Sequence, residues 1–155
     1  MAHLTLALVL TWLVGAAGAA PTSIARVDDV IDAPRALFGR TRAEIERRLG
    51  PPTTTRAVRL GTAGPAAEEL AYPGLVLRLA GPALARVRLS SPAWRLPHGL
   101  GVGATRRHVE ATLGEPQGAD DTRVMYLYSD GYPDTVEFRI RDGRVERIEW
   151  TYWVD

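Results

Sequence analysis

Two stretches of this sequence can be laid over one another, and that self-similarity limits its possible folds more than any single motif does. Residues 39–52 (GRTRAEIERRLGPP) and 103–116 (GATRRHVEATLGEP) agree at seven of fourteen positions: Gly39/Gly103, Thr41/Thr105, Arg42/Arg106, Glu46/Glu110, Leu49/Leu113, Gly50/Gly114 and Pro52/Pro116. Ile45/Val109 is a conservative eighth. A repeat of this kind implies that each copy is one supersecondary unit and that the copies bury their apolar faces together.

The agreement falls where helix physics needs it. Thr41 and Thr105 stand at N-cap positions, where a hydroxyl accepts from a free N–H of the first turn. Glu44, three residues on, completes a capping box in the first copy; the second has His108 there. Ile45 and Leu49, like Val109 and Leu113, are four apart and share a face. Gly50 and Gly114 supply the left-handed residue past the helix end, and Pro52 and Pro116 forbid continuation. Helices of about nine residues are unstable alone in water. They must dock on something.

A sheet follows in both copies. Residues 75–79 (LVLRL) and 85–89 (ARVRL) flank Gly81-Pro82, and residues 136–140 (VEFRI) and 146–150 (ERIEW) flank Asp142-Gly143. Asp-Gly between alternating runs is a strong hairpin signal. An earlier strand precedes each hairpin, around 68–72 and 123–128. The expected fold class is α+β: two tandem helix-plus-antiparallel-meander units, with the helices packed on one face of a six- to eight-stranded sheet. The expected divisions are a signal peptide at 1–19, an N-terminal arm at 20–36, a first repeat at 37–90, a linker at 91–102 and a second repeat at 103–155.

The signal peptide is read from residues 3–14 (HLTLALVLTWLV), followed by the small-residue run 15–20. An apolar stretch ending in an A-x-A pattern directs export and cleavage after Ala19. It is shorter than the roughly 20 residues that span a bilayer, so no stable membrane anchor is expected after cleavage. The location implied is periplasmic or extracellular. The segment 20–35 is polar and Pro-bounded, and reads as a loose arm.

The pattern G-x-T/S-x-x-x-I/V-x-x-x-L-G-x-P, followed by aromatic strands and the D-G-x-V-x-x-I hairpin of residues 142–148, resembles the SmpA/OmlA family. That family is the small lipoprotein subunit of the outer-membrane β-barrel assembly machinery. In tandem, the arrangement is similar to the β-lactamase-inhibitory proteins, in which two such units join their strands into one concave sheet that grips a partner protein. The resemblance implies a non-enzymatic protein-binding module, inhibitor-like or assembly-factor-like. The chain has no cysteine, so neither the lipid anchor of the former nor the disulfides of the latter are available to it.

Strand alternation assigns the faces. Leu75, Leu77, Leu79, Val87, Leu89, Val136, Phe138, Ile140, Ile148, Trp150 and Tyr152 are expected to meet the helices. Arg78, Arg86, Arg88, Glu137, Arg139, Arg147, Glu149 and Trp153 are expected on the other, open face, the Arg and Glu residues of the second copy as cross-strand pairs. Tyr126, Tyr128, Trp150, Tyr152 and Trp153 concentrate aromatic surface in the second copy. Tyr126, Tyr128 and Trp153 join the charged residues as the candidate sheet-face interface, since Arg and aromatics dominate interface hot spots.

Other chemistries have little footing. With 19 basic against 18 acidic residues the net charge is +1, whereas a nucleic-acid binder carries a clear basic excess. Asp120, Asp121, Asp130, Asp134 and Asp142 lack D-x-D-x-D-G spacing and fit turn chemistry, so no metal site is expected. No cofactor motif occurs: the glycines at 99, 101 and 103 lack the Gly-Lys-Ser/Thr of a phosphate loop. The alternatives are a small envelope enzyme using His98 or His108 with an Asp, or a carrier of a small ligand or lipid cupped by the sheet.

Overall fold

The computed structural model describes residues 23–62, 64–131 and 133–154; the expected signal peptide lies outside them. Three helices, α1 (Ser23–Phe38), α2 (Arg42–Leu49) and α3 (Arg106–Leu113), accompany eight strands. The strands are β1 (Thr54–Arg59), β2 (Ala66–Tyr72), β3 (Leu75–Ala80), β4 (Ala83–Leu89), β5 (Gly118–Asp120), β6 (Arg123–Leu127), β7 (Thr135–Arg141) and β8 (Arg144–Thr151). They form one antiparallel sheet in the order β1-β2-β3-β4-β8-β7-β6-β5. The fold is α+β, and the sheet is open. None of the described helices is long and apolar enough to cross a membrane.

The seam of the sheet is the β4–β8 pair, in register at Arg86↔Thr151, Val87↔Trp150, Arg88↔Glu149 and Leu89↔Ile148. Val87, Leu89, Ile148 and Trp150 are buried. One continuous core therefore crosses from one meander to the other. Both meanders carry a β-bulge after an aligned arginine, Arg78 in β3 and Arg139 in β7.

The short helices are capped as their sequences require. Thr41 Oγ1 accepts from Glu44 N at 3.3 Å, and Thr105 Oγ1 from His108 N at 3.1 Å. Glu44 reaches back to Arg40 N at 2.8 Å. That backbone hydrogen bond holds the Glu44 carboxyl below its usual range. At the far ends, Gly50 and Gly114 have φ of 78° and 85°, a conformation costly to any residue with a Cβ. Each cap carbonyl is then taken by a tyrosine from the sheet: Tyr72 Oη donates to Gly50 O and Tyr126 Oη to Gly114 O, both at 3.0 Å.

The segment read as a loose arm is instead helix α1, and it is central. Val27, Val30, Ile31, Ala33 and Phe38 are buried in the core. Their spacing is that of one helical face. Pro34 sits inside this helix. Having no N–H, it leaves the carbonyl of Val30, four residues back, without its helical donor. The buried indole of Trp150 supplies one, with Nε1 donating to Val30 O at 2.9 Å. Tyr152 Oη donates to the next carbonyl, Ile31 O, at 2.7 Å. The polar residues of α1 are anchors. Asp28 accepts from Ser129 N at 3.0 Å, Asp29 from His98 Nε2 at 3.1 Å, and Asp32 from Tyr128 Oη at 2.9 Å.

Between the meanders, the segment 91–102 packs onto the core through Leu96 and Leu100. Trp94 meets Phe38 edge-on at 5.2 Å. A short 3-10 turn, Pro97–Gly99, puts His98 at φ 60°.

Candidate functional site

The sheet alternates cleanly. Along β7, Val136, Phe138 and Ile140 are buried under the helices, while Glu137 and Arg139 lie on the far side. The same parity puts Arg78, Arg86, Arg88, Arg147 and Glu149 on that open face, as expected. It also puts Arg56, Glu69, Asp120 and Arg123 there, which sequence reasoning missed. Glu69 follows Glu68 in a strand that does not alternate, so only the register, which sets it directly opposite Arg78, assigns its face. Arg56 and Asp120 lie on the outer strands β1 and β5, which carry too little alternation to be recognised.

These side chains form a lattice across the sheet. Glu69 Oε2 is 2.7 Å from Arg78 Nε, and its Oε1 is 2.7 Å from Arg56 Nε. Burial alone would push the Glu69 carboxyl up, but hydrogen bonds from Arg78 and Arg56 outweigh it and hold the group below its usual range. At the seam, Arg88 Nε donates to Glu149 Oε1 at 3.0 Å. On the other side, Arg123 contacts Glu137 at 3.2 Å and Asp120 at 2.8 Å. Hydrogen bonds from Thr122 and Arg123 bring the Asp120 pKa down to about 2.

The expected cross-strand pairing among Glu137, Arg139, Arg147 and Glu149 is not formed. Register sets like opposite like: Arg139 faces Arg147 and Glu137 faces Glu149. The contacts run along each strand instead, Arg139 Nε to Glu137 at 2.6 Å and Arg147 Nε to Glu149 at 3.1 Å. Neither Nε is aligned for a hydrogen bond, so these are charge contacts only. In the first meander Arg78 faces Arg86. Arg86 differs from its neighbours: among the described residues it has no carboxylate in ion-pair reach.

The aromatic part of the expected interface is elsewhere. Tyr126 is fully buried on the helix side, edge-on to Phe138 at 6.3 Å. Tyr128 is on the same side, held by Asp32. Parity decides this, because both are an even number of residues from the buried Val124. Trp153 is 60% exposed. It lies beyond the end of β8, away from the arginine lattice, at the rim of a depression shared with Asp32, Arg35, Arg40, Tyr128, Asp130 and Asp134. Its backbone N–H donates to the buried Asp134 at 2.7 Å. Arg35 binds the same carboxylate at 3.0 Å and lies 3.9 Å over the Tyr152 ring.

Of the two candidate histidines, His98 meets a carboxylate and His108 is exposed on α3. His98 pairs with Asp29, but the pair joins a surface turn to α1, and a nucleophile or enclosed pocket would have to accompany it. On the open face, the depression at the seam holds about 60 Å³, half of its lining being Arg78, Arg86, Arg88 and Glu149. Another of about 430 Å³, by Arg139 and Arg147, is lined almost wholly by polar and charged residues. Small-molecule sites run to several hundred Å³ and are mostly apolar.

No family model matches this chain, and no curated protein does either. Among solved structures it is similar to a "putative beta-lactamase inhibitor protein" from Streptococcus mutans. The two are 13% identical, and the match covers 83% of this chain and 93% of that one at a TM-score of 0.31. Backbones that agree at this level differ widely in detail, and no residue role passes between them.

Proposed function

We propose that this chain is an exported, non-enzymatic protein-binding module that engages its partner through the open face of the sheet. Export rests on the apolar run at residues 3–14 and the small residues after it. The binding role rests on one observation, the facing of like charges across the sheet: Arg78↔Arg86, Arg139↔Arg147 and Glu137↔Glu149. Like charges directly opposite one another destabilise a sheet, each on the order of tenths of a kcal/mol. A face kept for stability alone would alternate them. Rules of local consistency are broken where a surface serves something outside the molecule, and arginine is enriched at such surfaces.

The test is site-specific photocrosslinking in envelope fractions of the source cell. A crosslinker at Thr151, on the open face, should capture a discrete partner, and the combination Arg139→Glu with Arg147→Glu should abolish the capture. A crosslinker at Arg107, exposed on α3, should capture nothing discrete. Equal capture from Arg107, or capture from Thr151 indifferent to the charge reversals, would remove the open face from consideration.

A further inference from the structure

The open-face reading leaves the chemistry of the recognised group unstated. Resting on that reading, we infer that the partner presents a carboxylate, on an acidic loop, and that Arg86 receives it.

Three observations converge on Arg86. Register denies it an acidic neighbour, since its directly opposed residues are Arg78 on β3 and Thr151 on β8. The nearest carboxylates are engaged: Glu69 by Arg78 and Arg56, Glu149 by Arg88 and Arg147. And Arg86 borders the depression at the seam, a hollow of about 60 Å³ with Val76 and Thr151 on its walls. A half-buried guanidinium with its fork of donors uncommitted matches the planar, bidentate geometry of a carboxylate. The hollow suits one such group rather than an extended ligand.

Charge selects an acidic protein segment over a nucleic acid. The open face carries more arginines than carboxylates, so it attracts an anion. Yet Glu69 on β2, Glu149 on β8 and Glu137 on β7 interrupt the arginines. A phosphate backbone needs an unbroken basic track. One or two carboxylates on a loop can sit between the glutamates.

The experiment uses the full chain with 15N-labelled arginine, the Arg86 Nε–Hε resonance being assigned with Arg86→Lys. The probes are an acidic peptide (acetyl-GSEDESG-amide), its neutral counterpart (acetyl-GSQNQSG-amide) and a thymidine oligonucleotide at equal ionic strength. The acidic peptide should move the Arg86 resonance saturably and the neutral one should not. Arg86→Gln should weaken acidic-peptide binding about tenfold, as expected for loss of a charged hydrogen bond. Arg107→Gln, on α3, should change it by less than about twofold, as for a distant screened charge. Near-UV circular dichroism matching the parent chain secures Arg86→Gln as folded. An equal response to the neutral peptide, tighter binding of the oligonucleotide, or an equal loss with Arg107→Gln would each overturn the assignment. With the crosslinked partner in hand, the two levels separate. Binding lost on reversal of Arg139 and Arg147 but untouched by Arg86→Gln would sink the carboxylate assignment and leave the open face standing. Binding indifferent to all three changes would remove both.

Discussion

Proline inside a helix usually marks a break, and Pro34 shows how one chain accommodates it. The carbonyl it strands, Val30 O, is buried, and a buried acceptor left unpaired costs about 1–3 kcal/mol. Trp150 fills the vacancy from a strand 120 residues away in sequence. The two residues are therefore coupled. Trp150→Phe should destabilise the fold by about 2–4 kcal/mol, through lost volume and the orphaned carbonyl together. Pro34→Ala restores an N–H that can close the helical bond to Val30 O. In that background Trp150→Phe should cost less, with an interaction energy of about 0.5–2 kcal/mol in a double-mutant cycle followed by urea unfolding. Strict additivity would show that the indole bond contributes nothing. The helical stripe Val27, Val30, Ile31, Pro34, Phe38 was legible in principle, at the i, i+3, i+4, i+7 spacing of a buried face. Pro34 and the charges of Asp28, Asp29 and Asp32 hid it, because a polar, Pro-bounded stretch reads as a linker until the partners of those carboxylates are known.

Elements that announce themselves through local chemistry were the ones foreseen. The Thr caps, the Leu-Gly-x-Pro stops and the Asp-Gly turn all act within a few residues, and α2, α3 and the β7–β8 hairpin follow from them. The outer strands carry no such signal: β1 is exposed along nearly its whole length, so neither alternation nor apolar content marks it. Also invisible was the bond between each short helix and the sheet, which joins residues 22 apart in one case and 12 in the other. Tyr72 and Tyr126 hold the carbonyls of Gly50 and Gly114, groups that a helix end cannot satisfy internally. Their costs should differ with burial. Tyr126→Phe leaves a carbonyl beneath a buried ring and should lose about 1–2 kcal/mol, whereas water can reach the half-buried Tyr72 site and Tyr72→Phe should lose about half that. Chemical denaturation of the two variants measures the difference, and a larger loss at Tyr72 would contradict this account of the helix ends.

At the scale of the whole molecule, net charge is a poor guide to surface chemistry. The near-cancelling total conceals local imbalance: arginines outnumber carboxylates on the open face, while on the helix side Asp28, Asp29 and Asp32 are taken up in hydrogen bonds to the rest of the fold. Composition sums over both faces, and only strand parity and register separate them. The two faces also respond differently to alkali. Arginine stays charged well above pH 11, so the lattice persists there. The tyrosines on the helix side do not. Tyr126 is pushed up to about 12 by burial, and Tyr128 to about 12 by the hydrogen bond it donates to Asp32. Tyr152 is raised well above its ordinary 10.0, chiefly by burial. A group whose pKa is higher folded than unfolded holds its proton more tightly in the native state. Its contribution is complete below the unfolded value, near pH 10, and is lost as pH rises through the folded value, near 12. The midpoint of urea unfolding should therefore stay level to about pH 9.5 and fall steeply between pH 10 and 12. Phenolate absorbance should lag the curve expected for free tyrosine, then appear together with unfolding. Replacing Tyr128 by Phe removes one of the groups responsible, so that variant should start less stable at pH 7 and show a shallower alkaline decline. An unchanged slope in Tyr128→Phe would mean that the Asp32 hydrogen bond does not set the proton affinity of this ring, and that the alkaline decline belongs to Tyr126 and Tyr152.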